Sequence, residues 1–259
     1  MRLRQRWGPW VPLVLTALLA GLISPAAAGR APVLRTAASG SMAPWGLVDS
    51  TGAPGGILHD YKELLAAKAG VRLQTDVMPT SRLNVMAMRG DIDLFIFPDV
   101  PAVETCCLRL ARVYEFTYGL LRTGHPLATA ADPGDRPVCR LNRSSINLPG
   151  VRVVNVGHYG QCFRMGAAGR VAAIFGPRSV LAWTLQNMKT LPPLQLSSFL
   201  PVRRVGIGLY VSRKYPDQAV MARLRRAAGE INVEHLLNKY VKTTAIKAAF
   251  EVDPRGGVH

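Results

Sequence analysis

Residues 43–98 read APWGLVDSTGAPGGILHDYKELLAAKAGVRLQTDVMPTSRLNVMAMRGDIDLFIFP, and this stretch decides the fold. A Gly/Pro-rich turn at 49–56 precedes residues 57–69, where Leu58, Tyr61, Leu64, Leu65 and Lys68 recur at helical spacing. Gly70 stands where a helix C-terminus favours glycine. Residues 71–77 alternate as a strand, Thr80 or Ser81 is placed to cap a helix over 82–89, and 91–97 is an apolar run of the kind covered on both faces. The pattern is β-α-β-α-β, which predicts a parallel sheet.

The same residues carry a resemblance. Pro44-Trp45 follows the first strand, and Asp49, Gly52, Gly55, Gly56, Ile57, Asp60 and Tyr61 form the phrase D-x-x-G-x-x-G-G-I-x-x-D-Y. Arg82 lies just inside the second helix, and residues 90–94 read G-D-I-D-L. Together they resemble bacterial extracellular solute-binding proteins of family three, the periplasmic receptors of polar amino-acid ABC transporters. The resemblance continues more weakly to about Pro216. It implies an α/β type II periplasmic binding protein-like fold, two lobes each with a mixed sheet flanked by helices.

Toward the N-terminus, Arg2, Arg4 and Arg6 precede an apolar run at 11–23 that ends in Ser24-Pro25-Ala26-Ala27-Ala28. This is the pattern of a secretory signal peptide cleaved after Ala28, with an uncleaved anchor as the alternative. Export to the periplasm is the expectation. Of 32 basic and 16 acidic residues, the signal segment holds three arginines and no carboxylate, so the mature chain carries about +13. The basic residues are scattered, clustering only at Arg203-Arg204 and Arg223-Leu224-Arg225-Arg226. No aromatic-interleaved basic motif, zinc spacing or dinucleotide fingerprint accompanies them, so solvated faces are expected and nucleic acid is not a partner.

Export makes Cys106, Cys107, Cys139 and Cys162 disulfide candidates before they are metal ligands or nucleophiles. Three connectivities are open. A soft-metal site is the sharper alternative, but without an adjacent H-x-x-H or C-x-x-C no metal and no cofactor is expected.

The domain reading runs 29–118 as the first part of lobe one, 119–205 as lobe two, 206–252 as the return to lobe one and 253–259 as a disordered tail. Tyr114, Phe116 and Tyr118 alternate in a strand at 113–121 that leaves lobe one. Residues 122–147 read as a polar surface insertion tethered by Cys139, and Asn142-Arg143-Ser144 as a chance sequon. A buried strand at 148–156 leads into Gly157-His158-Tyr159-Gly160 at a helix start, where free N–H groups suit an anion. Helices are expected at 178–188, 218–231 (capped by Asp217) and 233–241, and strands at 194–199 and 205–212.

Two handles that the resembled family uses for α-amino acids are missing. Val103-Glu104-Thr105-Cys106-Cys107 stands in place of its Thr-x-x-Arg, and Ala172 stands in place of its Asp in G-R-V-D-A. Only residues 161–168 separate Gly160 from that phrase, so either lobe two is abbreviated or the correspondence fails there.

The five histidines lie in unlike contexts, and neither a G-x-S-x-G elbow nor an evident carboxylate pair appears, so no catalytic residue is assigned. The expected function is capture of a small polar or anionic solute, amino-acid-like or an organic acid, by a monomer that hands it to an ABC permease. Two alternatives remain: a periplasmic sensor signalling to a membrane partner, and a dehydratase-like enzyme with Asp99 as its acid. Ligand residues are expected beyond the carboxyl ends of strands: Trp45, Arg82, Phe97 and Asp99 from lobe one, His158, Tyr159 and Gly160 from lobe two. Arg82, in the first turn of its helix, is the expected anion anchor.

Overall fold

The computed structural model describes residues 30–40, 42–124, 135–142, 146, 148–188 and 196–241. The expected signal peptide (1–28), the expected tail (253–259) and Arg143 and Ser144 of the sequon lie outside them. Strand β1 (Val33–Ala38) is followed by a ribbon of β2 (Leu47–Val48) and β3 (Pro54–Gly55), then α1 (Ile57–Ala69), β4 (Arg72–Val77), α2 (Thr80–Arg89), β5 (Leu94–Pro98) and α3 (Pro101–Cys106). β1 and β4 pair in parallel. β5 departs from the expected parallel ladder: it pairs antiparallel with a returning strand, and it meets β1 through Asp93, whose N–H donates to the Arg35 carbonyl at 3.0 Å.

Strand β6 (Cys107–Thr123) starts six residues before the expected strand and runs 17 residues. Then come β7 (Val138–Leu141), β8 (Val153–Val156), α4 (Tyr159–Ala167), β9 (Ala173–Pro177), α5 (Arg178–Asn187), the 17-residue β10 (Leu196–Ser212), α6 (Gln218–Gly229) and α7 (Val233–Tyr240). The sheet order is β5-β10-β6-β9-β7-β8. β6 carries the chain out of lobe one and β10 carries it back, paired antiparallel along most of their length. The two segments expected at 194–199 and 205–212 are therefore one strand. Between β8 and β9 there is a single helix, α4.

Three local expectations are corrected. Residues 138–141 are not surface insertion: β7 lies between β9 and β8 with parallel ladders on both sides, and Cys139 is fully buried. Four residues among prolines and arginines are too few to show a period. α2 begins at Thr80 after Pro79 without a side-chain cap, and the Thr80 hydroxyl lies 2.7 Å from that of Ser39. In α1 the buried face is Ile57, Tyr61, Leu65 and Ala69 with Lys62 and Ala66, while Leu64 is exposed. Elsewhere the caps are those expected: Gly70 ends α1 in the left-handed region, and Asp217 accepts the Val220 N–H at 2.9 Å to start α6.

Two disulfides are present. Cys139 on β7 is bonded to Cys162 on α4, one of the pairings the sequence left open, and Cys106 is bonded to its neighbour Cys107. The main core joins α1, α6 and α7 to Leu110, Val113 and Phe116 of β6; a smaller one on the other side of lobe one contains Ala87, Ile92, Phe95 and Tyr210.

Candidate functional site

The crossing between lobes is built where β6 and β10 pass each other, and pleating divides its side chains between two faces. In the register, Tyr114 pairs with Ile207 and Phe116 with Val205, whereas Glu115 pairs with Gly206 and Arg112 with Gly208. Paired residues point the same way and successive ones opposite ways. One face is thus aromatic and apolar, the other charged.

Trp45 occupies the aromatic face. Its loop is fixed by backbone bonds from Ile57 N–H to the Pro44 carbonyl and Leu58 N–H to the Trp45 carbonyl, which tie it to the start of α1. The indole packs on Tyr114 (ring centroids 4.5 Å apart) and edge-on to Phe116 (4.7 Å). Its N–H donates to the Ser179 hydroxyl at 3.0 Å, in the first turn of α5 in lobe two. Trp45 is 1% exposed, so the lobes are joined here by a buried aromatic and a buried hydrogen bond.

Beside this contact is a cavity of about 270 Å³ lined by Tyr114, Thr117, Arg178, Ser179, Glu234 and Asn238, with Leu237 at its apolar side. It sits at the edge of β6 just before β9 joins at the Tyr118–Pro177 pair. β9 ends in Pro177 and thereby places Arg178 and Ser179 at the start of α5; Glu234 and Asn238, one turn apart on α7, close the opposite wall. Burial lowers the pKa of Arg178, with the Tyr114 phenol opposing the shift. Burial, helped by the Glu234 carboxylate, pushes the Tyr114 phenol up to about 12, so it is a neutral hydrogen-bonding group at neutral pH. The cavity therefore holds one cationic, one anionic and several neutral polar groups drawn from both lobes.

The charged face carries Asp99. Its Oδ1 accepts the Tyr210 O–H at 2.6 Å, its Oδ2 accepts from Arg109 at 3.1 Å, and its N–H donates to the Gly206 carbonyl at 2.8 Å. A Cβ at Gly206 would lie 2.3 Å from Oδ2 and one at Gly208 2.7 Å from Oδ1, so glycine at both positions lets the carboxylate sit on the strand. Glu115 lies on the same face, ion-paired to Arg112 and to Arg204.

The residues nominated from sequence are consequently not one constellation. Trp45 and Asp99 lie on opposite faces of the β6–β10 ribbon. Arg82 is exposed on α2, and among the described residues no hydrogen bond or ion pair engages its guanidinium. Phe97 is half-buried, edge-on to Phe95. His158 is exposed as the residue before α4, whereas Gly160 and Tyr159 are buried, the Tyr159 ring lying on Gly176 with its phenol pKa raised by burial. Gly157 does border an open basin of about 570 Å³ at the carboxyl ends of β7 and β8, with Asn142, Asn155, Gln161, Arg164 and Arg170 around it. Arg178, Ser179, Glu234 and Asn238 were not foreseen. The apolar run 173–177 ending in Pro-Arg-Ser was the available signal for the first two.

No protein-family model matches the chain, and no curated protein matches it. Solved structures do. The periplasmic domain of BvgS from B. pertussis superposes with a TM-score of 0.62 and 19% identity, covering 87% of this chain and 44% of that one. A histidine kinase sensor domain with similarity to periplasmic binding proteins gives 0.68 at 14% identity, covering 82% and 97%. A periplasmic binding protein of Salmonella typhimurium with high arginine specificity gives 0.61 at 16%, covering 82% and 100%. The fold is the two-lobed periplasmic binding-protein fold. Within it the chain spans less than half of the BvgS periplasmic domain and nearly the whole of the other two. Among the described residues no helix is long and apolar enough to cross a membrane, and no cluster of three or more His, Cys, Asp or Glu is placed to hold a metal ion.

Proposed function

We propose that the protein is an exported receptor that binds a small polar or anionic solute between its lobes and presents the result to a membrane partner. The supporting observation is the 270 Å³ cavity at the lobe crossing, whose polar walls come from both lobes and include Arg178 and Glu234 with opposite charge. An amino-acid-like or organic-acid solute matches that size and polarity. Arg178 presents a forked cationic donor to a carboxylate, Glu234 and Asn238 accept from an ammonium or hydroxyl, and Thr117 and Tyr114 offer neutral hydrogen bonds. Membership of the family-three ABC receptors, with a permease as partner, is the reading favoured by the residues at 43–98.

A sensory role has its own support: the buried Trp45–Ser179 bond joins the two lobes directly, as suits a receptor whose signal is a change in that contact. A dehydratase role gains nothing from Asp99, since both of its oxygens are already engaged.

A thermal-shift screen of mature protein against amino acids, organic acids and sulfonates, followed by calorimetry, tests the reading, because a ligand of the folded state raises the melting temperature. Arg178→Ala is expected to weaken the hit by about tenfold or more and Arg82→Ala by less than about threefold. The reverse ranking moves the anchor to Arg82, and an affinity unchanged by Arg178→Ala overturns the cavity as the site. Intact mass of the exported protein is expected to begin at Gly29.

A further inference from the structure

A group of sulfur atoms at the junction of α3 and β6 takes no part in the proposed solute site. Cys106 closes α3, Cys107 opens β6, and the two are bonded to each other. The Met88 Sδ of α2 lies 3.8 Å from the Cys106 Sγ. Met78 and Met86 pack with Met88 against the same buried cluster.

The two disulfides are unequally protected. Cys139 and Cys162 are both 0% exposed and are 23 residues apart in sequence, whereas Cys106 is half-buried and adjacent to its partner. Chain-entropy stabilisation grows with the loop that is closed, and a pair of neighbours closes essentially none. The bond with one partly exposed member, Cys106, beside the 2%-exposed Cys107, is also the one that does least to hold the fold.

We propose that the Cys106–Cys107 bond is opened by dithiol reductants and that the resulting pair, with Met88, binds one soft monovalent cation of the Cu(I) class. In the opening step an external dithiol supplies two electrons and two protons: the Cys106–Cys107 S–S bond breaks, both cysteines become thiols, and the reductant leaves as its own disulfide. The cation then displaces the two thiol protons and is held by two thiolates and the neutral Met88 thioether.

Three sulfurs in a plane around a metal at about 2.3 Å stand about 4 Å apart, and Met88 and Cys106 are already near that spacing. The Cys106 and Cys107 sulfurs must separate to reach that spacing, as they can once their bond is broken. Thiolate and thioether donors select soft ions over the oxygen-preferring ones. Two thiolates and one monovalent cation leave a single negative charge. Arg213 is on hand to offset it: its N–H donates to the Cys106 carbonyl and its guanidinium to the Glu104 carbonyl, both at 3.0 Å.

The test uses mature protein treated anaerobically with a dithiol and then desalted. Differential alkylation with mass spectrometry is expected to label Cys106 and Cys107 before Cys139 and Cys162. Competition for Cu(I) against a coloured chelator is expected to give one ion per reduced chain and none per oxidised chain, with affinity lowered about tenfold or more in Met88→Leu and stoichiometric binding lost in Cys106→Ser. Met88→Leu keeps side-chain volume, so its loss reports the thioether. The proposal is overturned if Cys139–Cys162 opens first, if the opened pair takes no Cu(I), if Met88→Leu binds within about twofold of the parent, or if binding survives Cys106→Ser.

Discussion

Tyr210 donates its phenolic hydrogen to Asp99 Oδ1 at 2.6 Å, across 111 residues of sequence, and so fastens the exit of β5 to the returning strand β10. Burial and this bond together raise the Tyr210 pKa, so the phenol stays a donor throughout the neutral range.

Loss of that donor is expected to be felt directly. Tyr210→Phe removes a hydrogen bond to an ionised acceptor and should lower unfolding free energy by about 1–3 kcal/mol in urea titrations. Gly206→Ala should cost a comparable amount, since its methyl meets Oδ2 at 2.3 Å. An unchanged urea midpoint in both variants would show that the latch is not formed in solution.

Trp45 and Ser179 form a second link, between lobes rather than within one. Trp45→Ala is expected to destabilise by about 3–5 kcal/mol as a large core truncation, and Ser179→Ala by about 1 kcal/mol for one hydrogen bond. The double variant should cost less than the two losses combined, because the Trp45–Ser179 bond is already lost in either single variant. Additive losses by chemical denaturation would argue against the contact.

Lys62 is 3% exposed, and its ammonium donates to the Ala37 carbonyl at 2.8 Å and the Thr36 hydroxyl at 3.3 Å. Burial lowers its pKa to about 8, with Glu63 opposing the shift slightly. The unfolded chain therefore binds more protons than the folded one between about pH 8 and the ordinary lysine value. Stability from this group is complete above that value and is lost as pH falls through about 8. Relative to Lys62→Met, wild type should gain on the order of 3 kcal/mol between pH 7 and 10.5. A difference independent of pH would exclude a buried, titrating amine.

Cys139 and Cys162 should behave as a structural disulfide. Replacing both with alanine is expected to cost about 3 kcal/mol by denaturation, given the 23-residue separation they close. Thiol titration of unreduced, unfolded wild type should find no free thiol, because all four cysteines are paired.

What the sequence disclosed follows from where its information was local. α1, β4 and α2 were legible because each is long enough to show a period, and β5 because it is an unbroken apolar run; Gly70, Pro79 and Gly90 punctuate them. β7 was illegible because four residues buried by parallel neighbours show no alternation. Trp45 stands out in the sequence as an aromatic after the first strand, but its partner Ser179 is 134 residues away and depends on how β6 carries lobe two. Asp99 is placed beyond β5 by the sequence, but the glycines and tyrosine that hold it are brought there by the register of β10, which no local pattern shows. The Arg178 and Glu234 walls have the same origin: α5 and α7 meet only after both crossings are made.

The ribbon of β6 and β10 has one further mechanical property. Its pairing slips between Pro201 and Arg203 and again between Ile207 and Gly208, leaving the stretch from Arg203 to Ile207 in regular register opposite Tyr114 to Tyr118. Slips of this kind loosen the ladder and add twist locally. Between them lies a short, regularly paired segment, and Trp45 packs on it through Tyr114 and Phe116. The indole therefore rests on the evenly paired part of the ribbon, and the added twist falls on either side of that part.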